Sequence, residues 1–247
     1  ALTDAFHQYH MGITAENIAK KWNISRREQD EFAAKSQDKA AKAREQGKFQ
    51  EEIVPVTVRK KKETIFFDRD EGIRPGTTAD SIARLRPAFL EGGTVTAANS
   101  SGINDGAAAV ILLSEEKAKE LHVKPMAVWK AGALAGVDPA IMGIGPVWAS
   151  RKVMEKTGLD IEDFDLIEAN EAFASQAIAV ARELNIAAEK LNVNGGAIAL
   201  GHPVGASGCR ILVTLLYELQ RRNLRKGLAT LCIGGGMGCA TVVERES

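Results

Sequence analysis

Cys232, His202 and Asn170 are the side chains in this sequence best suited to act together on a ligand. His202 lies in residues 194–208, a stretch in which five glycines surround one histidine before an apolar helical pattern at Ile211, Leu212, Leu215, Leu216 and Leu219. Glycines let a backbone pass close to a ligand, and Pro203 suits the first turn of a helix. This places His202 at the mouth of a helix, where backbone donors and the helix dipole favour developing negative charge. Cys232 stands just before a glycine cluster, 234–238, whose N–H groups, beginning with Gly234, could stabilise an oxyanion. A cysteine beside a histidine can be held as a thiolate, which makes it a nucleophile or a base. Asn170 does not titrate, but it can orient a water or donate to an oxyanion. Each residue also has a plainer reading: Cys232 as a small core residue like Cys209 and Cys239, His202 as a loop histidine, Asn170 as a helix cap.

The elements that must position these groups are legible as a rhythm of strands and helices after residue 104. Ala107–Leu113 reads as a buried strand, Glu115–Leu121 as a helix, Ala127–Val137 as a strand and Val147–Lys156 as a helix. Phe164–Glu168 follows as a short strand, Phe173–Leu184 and Ile211–Leu219 as helices, and Ala229–Ile233 and Ala240–Glu244 as closing strands. Such alternation argues for a layered α/β domain, and the three candidate residues all fall at or near strand ends, where ligand sites in such folds collect. Residues 1–103 are more irregular. Thr14 is placed to cap a short helix carrying Ile18, Ala19 and Trp22. Ser25 and Glu28 form a capping-box pattern opening a longer helix with Phe32, Ser36, Ala40 and Ala43 on one stripe and Gly47 as its stop. Val54–Val58 reads as a strand, Lys60–Lys62 as a solvated turn that could also meet a phosphate, and 68–93 as turn and loop.

Composition narrows the function. The 247 residues are 45% hydrophobic, enough for one large domain or two, and 32 basic side chains balance 32 acidic ones. No polybasic face points to nucleic acid, and no apolar run approaches the length of a bilayer span. The three cysteines have neither CxxC nor other metal spacing, so no metal centre is expected and a reducing, cytoplasmic setting is the natural reading. The sequence opens Ala1-Leu2-Thr3-Asp4 without a methionine and reads as starting inside a longer protein.

Taken in order, residues 170–173, 201–208 and 232–238 resemble three signature blocks of the thiolase family, most closely its bacterial short-chain biosynthetic members. The likeness continues through residues 2–6, 10–17 and 97–102 and covers essentially the whole chain. It implies a thiolase-like α/β/α C-terminal domain over 104–247 and most of an irregular α+β loop domain over 1–103. It also implies that the N-terminal thiolase domain, which carries a nucleophilic cysteine, is missing, as in a nicked enzyme, a two-polypeptide enzyme or a fragment. The implied reaction is the reversible joining of two acetyl-CoA molecules into acetoacetyl-CoA and CoA, with CoA thioesters as substrates and no separate cofactor. Cys232 would be the acid/base, His202 with a water on Asn170 would stabilise the enolate, and Gly234 N–H would hold a tetrahedral oxyanion. Arg74 would lie near the nucleotide of CoA, with Ser81 and Ser101 along the pantetheine or diphosphate path. Phe89 and Phe173 would pack on apolar portions, and Leu2, His10, Met11 and Met142 would lie near the thioester. Ala98, Ser100 and Ala172 belong to the same matched blocks. The family resemblance implies a homodimer or homotetramer when complete and, without the nucleophile, an inactive chain. A non-catalytic CoA-binding or assembly subunit is the alternative. A ketoacyl synthase would usually place a second histidine where Cys232 stands.

Overall fold

The computed structural model describes residues 2–60 and 63–246. Its centre is a four-stranded sheet in the order β3 (Val128–Gly136), β6 (Met237–Glu244), β5 (Lys226–Ile233) and β4 (Leu166–Ala169). β3 and β5 both pair antiparallel to β6, whereas β4 and β5 run parallel, with Ala169 opposite Thr230. Side chains alternate across a strand, and this sheet uses both faces. Ile167, Leu228 and Val242 join one core with Phe164, Ala149 and Val153, while Leu166, Ala229 and Val243 join another with Ile211, Leu215 and Leu219. The first core is covered by α5 (Gly145–Thr157) and the second by α8 (Ser207–Arg221), giving the expected α/β/α layers.

The segment before residue 104 packs onto this layer. α1 (Met11–Lys21) and α2 (Arg26–Glu45) lie against α6 (Ala174–Glu183), through clusters such as Ile18, Ile24, Ile144 and Ile178. Ser25 caps α2 with Glu28 in the predicted reciprocal box, and Gly47 follows its end at φ +68°. α1 begins earlier than expected. His10, not Thr14, is its N-cap, accepting from Gly12 N–H at 3.0 Å, and Thr14 is inside the helix with its hydroxyl donating to the Met11 carbonyl. The predicted strand near 54–58 is β1 (Val56–Lys60), paired antiparallel with β2 (Glu63–Phe67), a segment between the two turn readings that carries no element in the sequence reading. The lysine turn falls on Lys61 and Lys62, outside the described residues. The loop that follows contains only one short helix, α3 (Ala79–Ile82).

Ala107–Leu113 is not a buried strand. The segment is irregular, and Ile111 and Leu112 are 87% and 79% exposed. A β-propensity run becomes a strand only when a neighbour pairs its N–H and C=O groups, and among the described residues no strand does so. α4 (Glu115–Glu120) follows as expected, capped by Ser114. No helix among the described residues is long and apolar enough to cross a membrane. Phe164 has no exposed surface and sits in the core beneath α5. Phe164→Ala is expected to lower stability by about 3–5 kcal/mol in a urea titration; a loss well under about 1 kcal/mol would show that the sheet and α5 do not depend on this contact.

Candidate active site

Parallel pairing brings the C-terminal ends of β4 and β5 to one edge. Asn170 continues β4, its N–H donating to the Thr230 carbonyl at 3.0 Å, and Cys232 lies two residues further along β5. By strand alternation Cys232 shares the face of Leu228 and Thr230, and it packs in a buried apolar cluster with Met11, Ala15, Val95, Met142, Ala172 and Phe173. Phe89 borders that cluster, meeting Phe173 edge-on at 6.0 Å and stacking with His10 at 4.6 Å. Gly12 makes this contact possible, since a Cβ there would come 2.1 Å from the Phe89 ring. Five residues singled out in the sequence for a thioester pocket thus surround the thiol: Met11, Met142, Ala172 and Phe173 directly, and Phe89 at its border.

His202 is positioned from the other side. It follows α7 (Ala197–Leu200) and Gly201, pairs through an isolated parallel bridge with Ile103, and precedes α8 by a turn that starts at Pro203. It is therefore not at the first turn of α8. Its ring instead reaches that helix through Ser207, Nδ1 lying 2.5 Å from Ser207 Oγ. The same hydroxyl donates to the Pro203 carbonyl at 3.1 Å, so Ser207 Oγ ties the His202 ring to the turn before α8. Nε2 faces Asn170 Nδ2 at 3.4 Å. Asn170 is 1% exposed and its Oδ1 has no hydrogen-bond partner. Gly234 N–H, beyond the end of β5, makes no hydrogen bond in the turns and loops of the described residues.

Burial and Arg210 hold the His202 pKa below its usual value, so the imidazole is neutral at pH 7. Burial raises the Cys232 thiol from 9.0 to about 12. No hydrogen bond joins Cys232 to His202 among the described residues, so the expected histidine-held thiolate is absent and the sulfur is a protonated thiol in an apolar surround. Cys239 is excluded from this face of the sheet by register: it pairs with Leu231 and, like Leu231, lies on the face opposite Cys232. Cys209 is half-buried on α8, and neither thiol has a hydrogen-bond partner among the described residues.

The remaining sequence-predicted residues are more dispersed. Ser101 donates from both N–H and Oγ to the Ala172 carbonyl, and Ser100 bridges to Phe173, so this strand-like segment borders the pocket. Leu2 is exposed, its carbonyl accepting from Met11 N–H. Ala98 packs against Ala33, Ile82, Ala174 and Ile198. Arg74 and Ser81 are exposed on the loop around α3. Arg74 is anchored through its backbone, its N–H donating to Gln37 Oε1 and its carbonyl accepting from Thr77 Oγ1, and Ser81 is tied up in the capping box with Thr78.

Comparison with known proteins decides the family. Residues 1–116 match the model of the thiolase N-terminal domain, and residues 123–245 match that of the thiolase C-terminal domain. The chain belongs to the thiolase family. It is 62% identical over 245 residues to the acetyl-CoA acetyltransferase of Chromobacterium violaceum, covering 99% of this chain and 62% of that protein. It is equally similar to that of Syntrophomonas wolfei, at 62% identity over 98% of this chain and 62% of the relative. Among solved structures, Bacillus anthracis acetyl-CoA acetyltransferase superposes with a TM-score of 0.97 at 50% identity, over 98% of this chain and 62% of that one. Human mitochondrial 3-ketoacyl-CoA thiolase in complex with CoA gives 0.95 at 46%, over 99% and 61%. This thiolase chain thus spans about 62% of the length of the curated relatives it matches.

The match over 1–116 corrects the expectation that the N-terminal thiolase domain is missing. Sequence reasoning also passed over Glu171, which follows Asn170, and Ser207 and Asn104, which contact His202. Glu171 and Ser207 were visible only as members of motifs, and Asn104, whose Oδ1 accepts from His202 N–H at 3.2 Å, carried no signal at all.

The Cys232 environment has a measurable consequence. A thiol whose folded value lies above its unfolded one contributes stability that is fully present below about pH 9 and lost as pH rises towards 12. Cys232→Ser is expected to remove that part of the alkaline loss in a pH series of thermal melts, and an unchanged alkaline limb would refute the buried-thiol assignment. In mass-resolved alkylation of the native chain at pH 8, Cys209 should react before Cys232.

Proposed function

We propose that this chain carries the enolate-forming machinery of an acetyl-CoA C-acetyltransferase, joining two acetyl-CoA into acetoacetyl-CoA and CoA and running the cleavage in reverse. One observation carries the reading. Asn170 Nδ2 and His202 Nε2 stand 3.4 Å apart at the strand ends where Cys232 is buried, with Asn170 Oδ1 left unpartnered. With the His202 proton on Nε2, the pair offers two donors that one shared acceptor oxygen would satisfy, either a water held on Asn170 or the enolate oxygen of a thioester. A neutral His202 suits this role, since it donates without first giving up a proton.

In condensation, Cys232 first gives its proton to the CoA thiolate released when the nucleophilic cysteine is acetylated. The Cys232 thiolate so formed takes a proton from the α-carbon of acetyl-CoA, and the electron pair moves onto the thioester oxygen. The α-carbon then attacks the carbonyl of an acetylated cysteine. The new carbon–carbon bond forms through a tetrahedral oxyanion held by Gly234 N–H, and the acyl carbon–sulfur bond breaks to release the nucleophile's thiolate. In cleavage, the Cys232 thiol returns the proton to carbon. Burial that raises the Cys232 pKa keeps it loaded as that acid and makes its thiolate a stronger base once formed.

The nucleophile is assigned to residues outside these 247. Cys239 faces the wrong side of the sheet, and Cys209 has no base against it among the described residues. The chain by itself is accordingly expected to be inactive in acyl transfer, and complete assemblies to be homodimeric or homotetrameric. Residues 1–103 are assigned to CoA. Arg74 would lie near the nucleotide, with Ser81 and Ser101 along the pantetheine or diphosphate path and Ala98 letting the backbone approach CoA. Phe89, Phe173 and Ala172 would line the apolar wall, and Leu2, His10, Met11 and Met142 would lie near the acyl end.

Intact-mass measurement after incubation with acetyl-CoA tests this division of labour. The 247-residue chain is expected to take no acetyl group, while a longer protein containing it is expected to take one. In the longer protein, Cys232→Ser should lower acetoacetyl-CoA cleavage by at least about 100-fold, and Asn170→Ala by roughly 100- to 1,000-fold. Full activity of Cys232→Ser would overturn its role. Tight CoA binding without isotope exchange at the α-carbon of acetyl-CoA would instead support a non-catalytic CoA-binding subunit.

A further inference from the structure

Glu171 is fully enclosed at the end of β4, one residue beyond Asn170, and nothing in the proposed reaction uses it. Its carboxylate accepts hydrogen bonds from Ser36 Oγ on α2 at 2.6 Å, Asn192 Nδ2 at 2.9 Å and Ile198 N–H in α7 at 3.3 Å. Three separate stretches of chain therefore converge on one side chain. Asn192 also grips β4, its Oδ1 accepting from Ala169 N–H at 2.9 Å and its Nδ2 donating to the Ala169 carbonyl at 2.8 Å. Ser36 Oγ in turn accepts from Gly196 N–H at 3.0 Å, immediately ahead of α7.

Every partner of Glu171 donates, which is the pattern of an ionised carboxylate. Burial pushes its pKa up, while these bonds and the nearby Lys39 charge favour the charged form. The carboxylate also fills the only space available to it, because a Cβ on Gly196 would come 2.2 Å from Glu171 Cδ. The φ of Gly196, −137°, is open to any residue, so the glycine is required by contact and not by conformation.

The connectivity places this node between the two halves of the candidate site. Asn170 is its covalent neighbour, and Ile198 lies four residues before His202 in a short helix that Gly201 terminates. We propose that Glu171, held by Ser36, is a positioning residue that sets the separation of Asn170 and His202 by tying the end of β4, the start of α7 and helix α2 to one carboxylate. The role of that pair rests on the function proposed above, but the geometry and its test do not require turnover.

Ser36→Ala is the cleanest test. It removes the hydroxyl that bridges Glu171 and Gly196 without changing any charge. The readout is the titration of the His202 ring followed by NMR in the 247-residue chain, with the resonance assigned by its loss in His202→Asn. Without the bridge, α7 is expected to relax away from β4 and admit water to His202. His202 should then bind its proton at least roughly threefold more tightly, corresponding to about half a pH unit in its midpoint. His7, His10 and His122 should not move. Glu171→Gln, which sets an amide N–H against either Asn192 Nδ2 or Ile198 N–H, should likewise perturb the His202 ring resonances and leave the other three histidines in place. A Ser36→Ala protein that melts at a lower temperature with His202 titrating as before would overturn the proposal, because the node would then be merely structural. Failure of acetyl transfer in the longer protein, with His202 shifted as expected here, would count against the proposed reaction and leave the positioning role standing.

Discussion

The parallel pairing of β4 with β5 is the constraint on which the rest of the site depends. In an antiparallel pair the two strand ends that carry Asn170 and Cys232 would lie at opposite edges of the sheet. Parallel strands need a long crossover, and here it is supplied by α6, α7 and α8 together with the loops between them. That same crossover delivers His202, so the connection demanded by strand direction is also the segment that completes the site. The hydrogen bond from Asn170 N–H to the Thr230 carbonyl extends the ladder one residue beyond the regular strand and fixes the backbone from which the amide side chain projects.

Around this edge the protein segregates its polar and apolar groups. Cys232 lies among methionine, alanine, valine and phenylalanine side chains, and that surround leaves its thiol protonated. Buried polar groups elsewhere are matched donor to acceptor: Glu171 with Ser36, Asn192 and Ile198, and Glu16 with Thr94 and Val95. An unmatched buried polar group is costly, which makes the unpartnered Oδ1 of Asn170 informative. It marks a polar place beside the His202 ring.

Much of the C-terminal layer was legible in the sequence because its signals are local. Alternation along 127–137 and 229–233, the apolar stripe of 211–219 and the Ser25–Glu28 box each state their structure within a few residues. The readings that went astray depended on partners. Ala107–Leu113 has strand composition, but no strand among the described residues pairs with it, whereas residues 63–67, given no element from sequence, form β2 with β1 as partner. His202 was expected at a helix mouth from Pro203 alone, and it reaches that helix only through Ser207.

What the sequence by itself determined was the family, the α/β class and the identity of the three polar residues, since motif, periodicity and residue type are all properties of short stretches. The tertiary structure decided their protonation states and their mutual geometry. Whether Cys232 is thiol or thiolate depends on how much apolar surface closes over it, and that surface comes from residues 11, 95, 142, 172 and 173, far apart in the chain. The distance between Asn170 and His202 is likewise set by Ser36, Asn192 and Ile198 meeting at Glu171. Burial and hydrogen-bond convergence are sums over the folded neighbourhood, and no local pattern encodes them.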